Sequence, residues 1–249
     1  MPLAPSRLPP GEVHVSCFDA EAGGLDAPTW SRLLGWLQPD ERARFDRYRD
    51  LEARASFLIG RGIARRVLAD ATGVPPAEWR FVEGARGRPE IAVPETDLRF
   101  NLAHSGGLVA CVIGVRRDVG VDVEHLDRPA LSHDVAARSC APDELADINS
   151  EPEHARQRRF LAYWTLKEAY LKARGLGISV PMAEVAFSLD AAEPRLDLRG
   201  SMADAGARWI FRMAQPTSRH LVAVAADCRD STTPVVTFQR IRTEHLVDG

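Results

Sequence analysis

GLVACVIGVRRD, from Gly107 to Asp118, is echoed by HLVAVAADCRD, from His220 to Asp230. Each is an apolar strand that follows a turn, and a long helical stretch precedes each. In the first half that stretch is Leu51 to about Ala71, where Ile59, Ile63 and Val67 recur every four residues and define one buried stripe. Gly73 and Pro75 close it. In the second half it is Arg156 to Arg174, closed by Gly175 and Gly177. Read as a repeat, the echo predicts two similar α+β halves with a junction near Val119. Coincidence is the competing reading, because two apolar strands are weak proof of a repeat.

The rest of the pattern is consistent with α+β. Val13, Val15 and Cys17 alternate with His14 and Ser16, a strand signature. Pro28 and Pro39 each open a short helix. Phe81, Ile91 to Val93 and Leu98 to Leu102 read as short strands, and Val119 to Glu124 as another. Ser132 to about Asn149 reads as an irregular helix broken at Pro142. Val185 to Leu189, Trp209 to Met213, Leu221 to Ala225 and Val235 to Ile241 supply four further strands.

Composition removes several function classes. The chain has 249 residues, 45% hydrophobic and 27% charged, so it can bury a sizeable core. A net charge of −3 does not suit a nucleic-acid binder. Cys17, Cys111, Cys140 and Cys228 are scattered, which argues against a zinc module or a disulfide scaffold and suits a reducing cytoplasm. The start MPLAPSRLPP does not read as a secretory signal, and no stretch reaches the length of a membrane span. There is no phosphate-binding G-x-x-x-x-G-K-[ST] loop, no dinucleotide fingerprint and no serine-hydrolase elbow.

Of the 32 basic residues, 30 are arginine. The two lysines, Lys167 and Lys172, both fall in WTLKEAYLK (Trp164 to Lys172), which marks places where a compact ammonium is wanted. In that helix Phe160, Trp164, Glu168 and Lys172 recur every four residues and form one row. Glu168 stands between an aromatic shelf and a cation, as a metal ligand or general base would; the plain alternative is a surface Glu–Lys pair. In GVDVE (Gly120 to Glu124), Asp122 and Glu124 are two apart on a strand and share a face, while Val121 and Val123 take the other. Paired carboxylates suit a hard cation such as Mg²⁺, or else a solvated strand end. Arg61, Arg88 in Gly87-Arg88-Pro89, and His104 beside Gly106 and Gly107 are candidate anion binders.

GVDVE followed by WTLKEAYLK resembles the two-part signature of Sfp-type 4′-phosphopantetheinyl transferases. FNLAHS (Phe100 to Ser105) and GRP (Gly87 to Pro89) are similar to that family's upstream motifs, in the same order. Ala103, Arg88 and Leu176 depart from the family's usual serine, lysine and basic residue. The resemblance implies a pseudo-dimer of two similar α/β halves, residues 1–118 and 119–249, each a long helix packed on a small, mainly antiparallel sheet. It implies transfer of the 4′-phosphopantetheine arm of coenzyme A to a serine of an acyl or peptidyl carrier protein, with release of 3′,5′-ADP, as in a holo-[acyl-carrier-protein] synthase. It also implies Mg²⁺, replaceable by Mn²⁺, held by Asp122, Glu124 and Glu168. Glu168 and Lys172 would be catalytic, while Arg61, Arg88, His104, Lys167 and Lys172 would bind coenzyme A. A cytoplasmic monomer is expected, bound to neither nucleic acid nor membrane. The alternatives are a Mg²⁺-dependent phosphohydrolase and a non-catalytic module for coenzyme A or a carrier protein. The segment from about Leu126 to Arg159 is expected to meet the carrier, through Leu131, Val135, Leu145 and Ile148 and a basic rim of Arg128, Arg138, Arg156, Arg158 and Arg159.

Overall fold

The computed structural model describes residues 6–84, 87–128, 133–177, 180–203, 208–228 and 233–247. Strand β1 (Glu12–Asp19) is followed by helices α1 (Ala20–Gly23), α2 (Ala27–Trp36), α3 (Pro39–Arg47) and α4 (Leu51–Thr72). A hairpin of β2 (Arg80–Glu83) and β3 (Pro89–Val93) leads to β4 (Leu98–Ser105) and β5 (Leu108–Val115). The order then repeats. Strand β6 (Val119–His125) precedes α5 (His133–Ser139), α6 (Pro142–Ser150) and α7 (Glu153–Arg174). The hairpin β7 (Val185–Ser188) and β8 (Arg195–Leu198) leads to β9 (Trp209–Thr217) and β10 (His220–Asp227). Strand β11 (Val235–Arg240) and α8 (Thr243–Val247) end the chain.

Two sheets carry the repeat, one in the order β11-β1-β5-β4 and the other β6-β10-β9. Leaving β11 aside, each is an antiparallel trio built from equivalent strands. Helices α4 and α7 each have 22 residues, and each stops at a left-handed glycine, Gly73 or Gly175. Only a residue without a Cβ takes that conformation freely, so the sequence ends both helices at the same turn. Strand β11 runs parallel to β1, and α8 packs near α2 and α4, so the last elements fold back onto the first half.

The layers follow from burial. Every residue of β5 and of β10 is buried, because each strand is covered on both faces. Val109, Cys111, Ile113 and Val115 meet Ile59, Ile63 and Val67 of α4 on one side. Leu108, Ala110 and Val112 meet Val121, Val123, Val222 and Val224 on the other, which is the core between the two sheets. On the outer face of the second sheet, Ala223 and Ala225 meet Leu166, Ala169 and Tyr170 of α7. The result is a helix–sheet–sheet–helix stack.

The echo describes this architecture, but its letters are one residue out of register. Ser105 pairs with Leu108 around the Gly106-Gly107 turn, and Thr217 pairs with His220 around Ser218-Arg219. The turns therefore align Leu108 with His220 rather than with Leu221. Only that alignment sends Ala110 and Val112, with Val222 and Val224, into the same central core. Strand β8 is not foreshadowed by the sequence pattern, since Arg195 to Leu198 is half-exposed and charged at alternate positions. The expected helix from Ser132 is two helices, α5 and α6; Ser132 and Leu131 lie outside the described residues.

Candidate active site

The seam between the halves is built by β4 and β6, which run side by side in the same direction. They are joined by side chains: Asn101 Oδ1 accepts from Val121 N at 3.1 Å, and Ser105 Oγ accepts from His125 N at 3.2 Å. Val119, Val121 and Val123 enter the central core, so Gly120, Asp122 and Glu124 face α7. A side chain at Gly120 would overlap the backbone of Ala169 and Ala173, so this glycine sets how closely the helix lies on the strand. That approach brings Glu168 and Lys172 over the two carboxylates.

Lys172 Nζ donates to Asp122 Oδ1 at 2.6 Å. The other oxygen, Asp122 Oδ2, is buried without a partner among the described residues, as is Glu168 Oε1. Glu124 is turned to Arg128, whose Nη1 lies 2.5 Å from Glu124 Oε2. Burial raises the pKa of all three acids. For Glu124 and Glu168 the negative charge of Asp122 adds to the rise, while Lys172 opposes it at each acid. Two oxygens buried with no donor, inside a cluster of like charges, leave an electrostatic demand for a cation. Among the described residues no three His, Cys, Asp or Glu side chains already surround one point.

Beside this cluster lies a cleft of about 520 Å³, lined by Arg88 and Glu90 of the first hairpin, by Asn101 and Leu102 of β4, and by Lys172 and Arg174 of α7. The three acids line neither this cleft, which meets their cluster at Lys172, nor a larger depression of about 790 Å³ over β8 and Trp209. Arg88 spans the seam. Its Nη1 donates to Lys172 O at 2.8 Å and its Nη2 to Phe100 O at 3.0 Å, which clips the first half to the end of α7. His104 is an exposed residue of β4. Partial desolvation and then the nearby Lys172 hold its pKa below the ordinary imidazole value, so it offers a hydrogen bond more readily than a charge.

Several expected site residues are placed elsewhere. Lys167 is fully buried, with Nζ 2.6 Å from Glu144 Oε2 and donating to Ser139 O and Met182 O. It faces away from the cleft and is spent on packing. Arg61 is also buried: its Nε lies 2.9 Å from Glu41 Oε1, and its guanidinium lies over the rings of Phe57 and Phe81. Gly106 and Gly107 both have positive φ and make the β4–β5 turn, with Gly106 pressed against His125. Ile148 belongs to the core beneath α7, and Val135 and Leu145, half-buried, pack on it. In the basic rim, Arg159 is tied to Asp147 and Arg158 to Gln215, whereas Arg138 is exposed. Asn101 and the Arg128–Glu124 pair are the site features that sequence reasoning missed. Arg128 falls four residues after Glu124, the one signal available.

The sequence model of the 4′-phosphopantetheinyl transferase superfamily matches residues 118–225, and the model of the 4′-phosphopantetheinyl transferase N-terminal region matches 26–114. A phosphopantetheinyl transferase from Thraustochytrium is 32% identical over 233 residues, 88% of this chain and 80% of its own length. The chain belongs to the 4′-phosphopantetheinyl transferase superfamily. The transferase HetI from Nostoc is 38% identical over 65% of this chain and 69% of its own. A 4′-phosphopantetheinyl transferase from Bacillus subtilis is 29% identical over 64% and 69%. Members of this superfamily move the phosphopantetheine arm of coenzyme A to a carrier protein. In this transferase the matched segments contain both long helices, and the later one contains all three acids and Lys172. No helix among its described residues is long and apolar enough to cross a membrane.

Proposed function

We propose that the seam between the halves is where the transfer occurs, with Asp122, Glu124 and Glu168 holding Mg²⁺ and Glu168 and Lys172 serving the chemistry. One observation carries this reading: Asp122 Oδ2 and Glu168 Oε1 are buried, unpartnered and gathered beside Lys172. Oxygen donors of this kind fit a hard cation, and Mn²⁺ suits the same set. Bound there, the ion supplies positive charge against the pyrophosphate of coenzyme A.

The chain's own residues do the rest. The carrier serine Oγ forms a bond to the phosphorus that bears the pantetheine arm, and the P–O bond to 3′,5′-ADP breaks. The serine proton goes to Glu168, directly or through a water. Lys172, held on Asp122, sits at the cleft and offsets negative charge as it develops. His104 and Arg88 border the path of the phosphates, Arg88 chiefly by fixing the end of α7. Residues 1–118 and 119–249 form the two halves of a cytoplasmic monomer that acts on acyl or peptidyl carrier proteins in the manner of a holo-[acyl-carrier-protein] synthase. The carrier approaches over Arg138 and the exposed part of α6 and α7. The deciding experiment is mass spectrometry of an apo-carrier protein after incubation with the chain, coenzyme A and Mg²⁺. A gain of about 340 Da on one serine supports the reading; an unmodified carrier with intact coenzyme A sinks it.

A further inference from the structure

The acidic cluster contains three carboxylates and two cations, and the cations are divided unequally. Lys172 occupies Asp122 Oδ1 and Arg128 occupies Glu124 Oε2, while Glu168 Oε1 has no partner among the described residues. Arg128 differs from Lys172 in how it is held. Its backbone is pinned: Arg128 N donates to His125 O, and Gln157 Nε2 of α7 donates to Arg128 O at 2.6 Å. Its side chain is long, one-third exposed and anchored by Nη1 on a single carboxylate. A fixed backbone with a rotatable guanidinium at the edge of an acidic site is the geometry of an exchangeable counter-ion. The charge of Arg128 also reaches Asp122, so it acts on both strand carboxylates.

We propose that Arg128 is an exchangeable counter-ion of this site. It holds Glu124 while the site lacks a divalent cation, yields that carboxylate when the cation enters, and turns its guanidinium to the pyrophosphate of coenzyme A. The inference rests on the metal-site reading above. Its physical content is a coupling: Arg128 opposes the cation when coenzyme A is absent and ceases to oppose it when phosphate oxygens offer the guanidinium another partner. Bidentate recognition of phosphate is a property of the guanidinium fork that a neutral amide lacks.

The test is Mn²⁺ binding to the full chain, followed by electron paramagnetic resonance of the free ion, with and without coenzyme A and with no carrier protein present. Without coenzyme A, Arg128→Gln is expected to bind Mn²⁺ about 5–10-fold more tightly than the wild type, because a competing cation has gone. Coenzyme A is expected to tighten Mn²⁺ binding in the wild type by about tenfold or more, and in Arg128→Gln by only about twofold. Arg128→Lys keeps the charge without the fork and should show wild-type Mn²⁺ affinity alone but a reduced response to coenzyme A. Circular dichroism of each variant verifies the fold. Equal or weaker Mn²⁺ binding by Arg128→Gln, or an undiminished response to coenzyme A, would overturn the exchange. Asp122→Asn separates the two levels of argument: if it binds Mn²⁺ as the wild type does, the metal site itself is wrong and the exchange falls with it.

Discussion

Lys167 in α7 and Arg65 in α4 occupy the same place in the two halves. Each stands eight residues before its helix's terminal glycine, Gly175 or Gly73. Each is fully buried and reaches a glutamate of the preceding short helix: Arg65 Nη2 lies 2.5 Å from Glu41 Oε2, and Lys167 Nζ 2.6 Å from Glu144 Oε2. Both glutamates are also the third residue of a helix that opens with proline, and each takes a backbone N–H at that helix start. The repeated device ties each long helix to its neighbour. It explains why one of only two lysines lies outside the cleft.

The two lysines should therefore fail in different ways. Lys167→Met leaves Glu144 buried with no cation and should cost about 3–5 kcal/mol of stability. Lys167→Arg should cost far less, since Arg65 performs the same task. Lys172→Ala should reduce transfer by about 100-fold or more and lower Tm less than Lys167→Met does, because Lys172 is partly exposed and water or a bound cation can take its place at Asp122. Thermal melts and a coenzyme A transfer assay on the same samples separate these outcomes. A stable Lys167→Met that had lost coenzyme A binding would return Lys167 to the substrate.

Glu168→Gln should make the metal-free chain more stable and inactive. The folded pKa of Glu168 is raised above its ordinary 4.5, chiefly by burial and by Asp122. The folded chain thus holds this proton more tightly than the unfolded chain. The stabilising contribution is full below the ordinary value and is lost as pH rises through the raised one. Glutamine avoids that loss. In chelator the variant should match the wild type near pH 4 and exceed it by about 1 kcal/mol, or about 2–4 °C in Tm, near pH 8. A Tm difference that shrinks as pH rises would contradict the assigned sign.

Gly120→Ala should push α7 off β6, because the added methyl meets the helix backbone at Ala169 and Ala173 rather than a side chain that can turn aside. Overpacking of this kind costs about 1–3 kcal/mol. Transfer should fall more than stability does, since the displacement moves Glu168 and Lys172 from the strand acids. Near-normal kcat together with lowered Tm would mean that the site tolerates the shift.

Arg88→Ala removes donors to Lys172 O and Phe100 O on opposite sides of the seam. Each such charge-assisted bond is worth about 1.5–3 kcal/mol. Arg88→Lys, with a single ammonium, can serve one carbonyl well but not both. The expected order of KM for coenzyme A is wild type, then Arg88→Lys, then Arg88→Ala, with Tm falling in the same order. Loss of coenzyme A affinity with Tm unchanged in both variants would instead make Arg88 a direct phosphate contact.

Local pattern reached a long way into this molecule. The period of Ile59, Ile63 and Val67, the closing glycines Gly73 and Gly175, and the alternation in GVDVE are decided by backbone geometry within one or two turns. They placed both long helices and turned Asp122 and Glu124 to one face. The row of Glu168 and Lys172 has the same origin: residues four apart on a helix share a side whatever the helix packs against. The buried ion pairs of Lys167 and Arg61, and the contact of Asn101 with β6, were beyond that reach. Nothing near Lys167 indicates that Glu144 will receive it 23 positions earlier, or that Arg61 will meet Glu41 rather than a phosphate. Asn101 finds Val121 N only because β4 and β6 come to lie side by side.

The sequence by itself determined most of the elements, β8 excepted, their order and the residues able to carry charge, because each depends on neighbours within a few positions along the chain. The tertiary structure decided which charges stand in the cleft and which are absorbed into packing. That choice turns on desolvation. A cation buried beneath a helix must be paired by whatever the fold brings against it, as Glu144 is brought to Lys167. The acids at the seam between two halves are left with oxygens that no described residue satisfies.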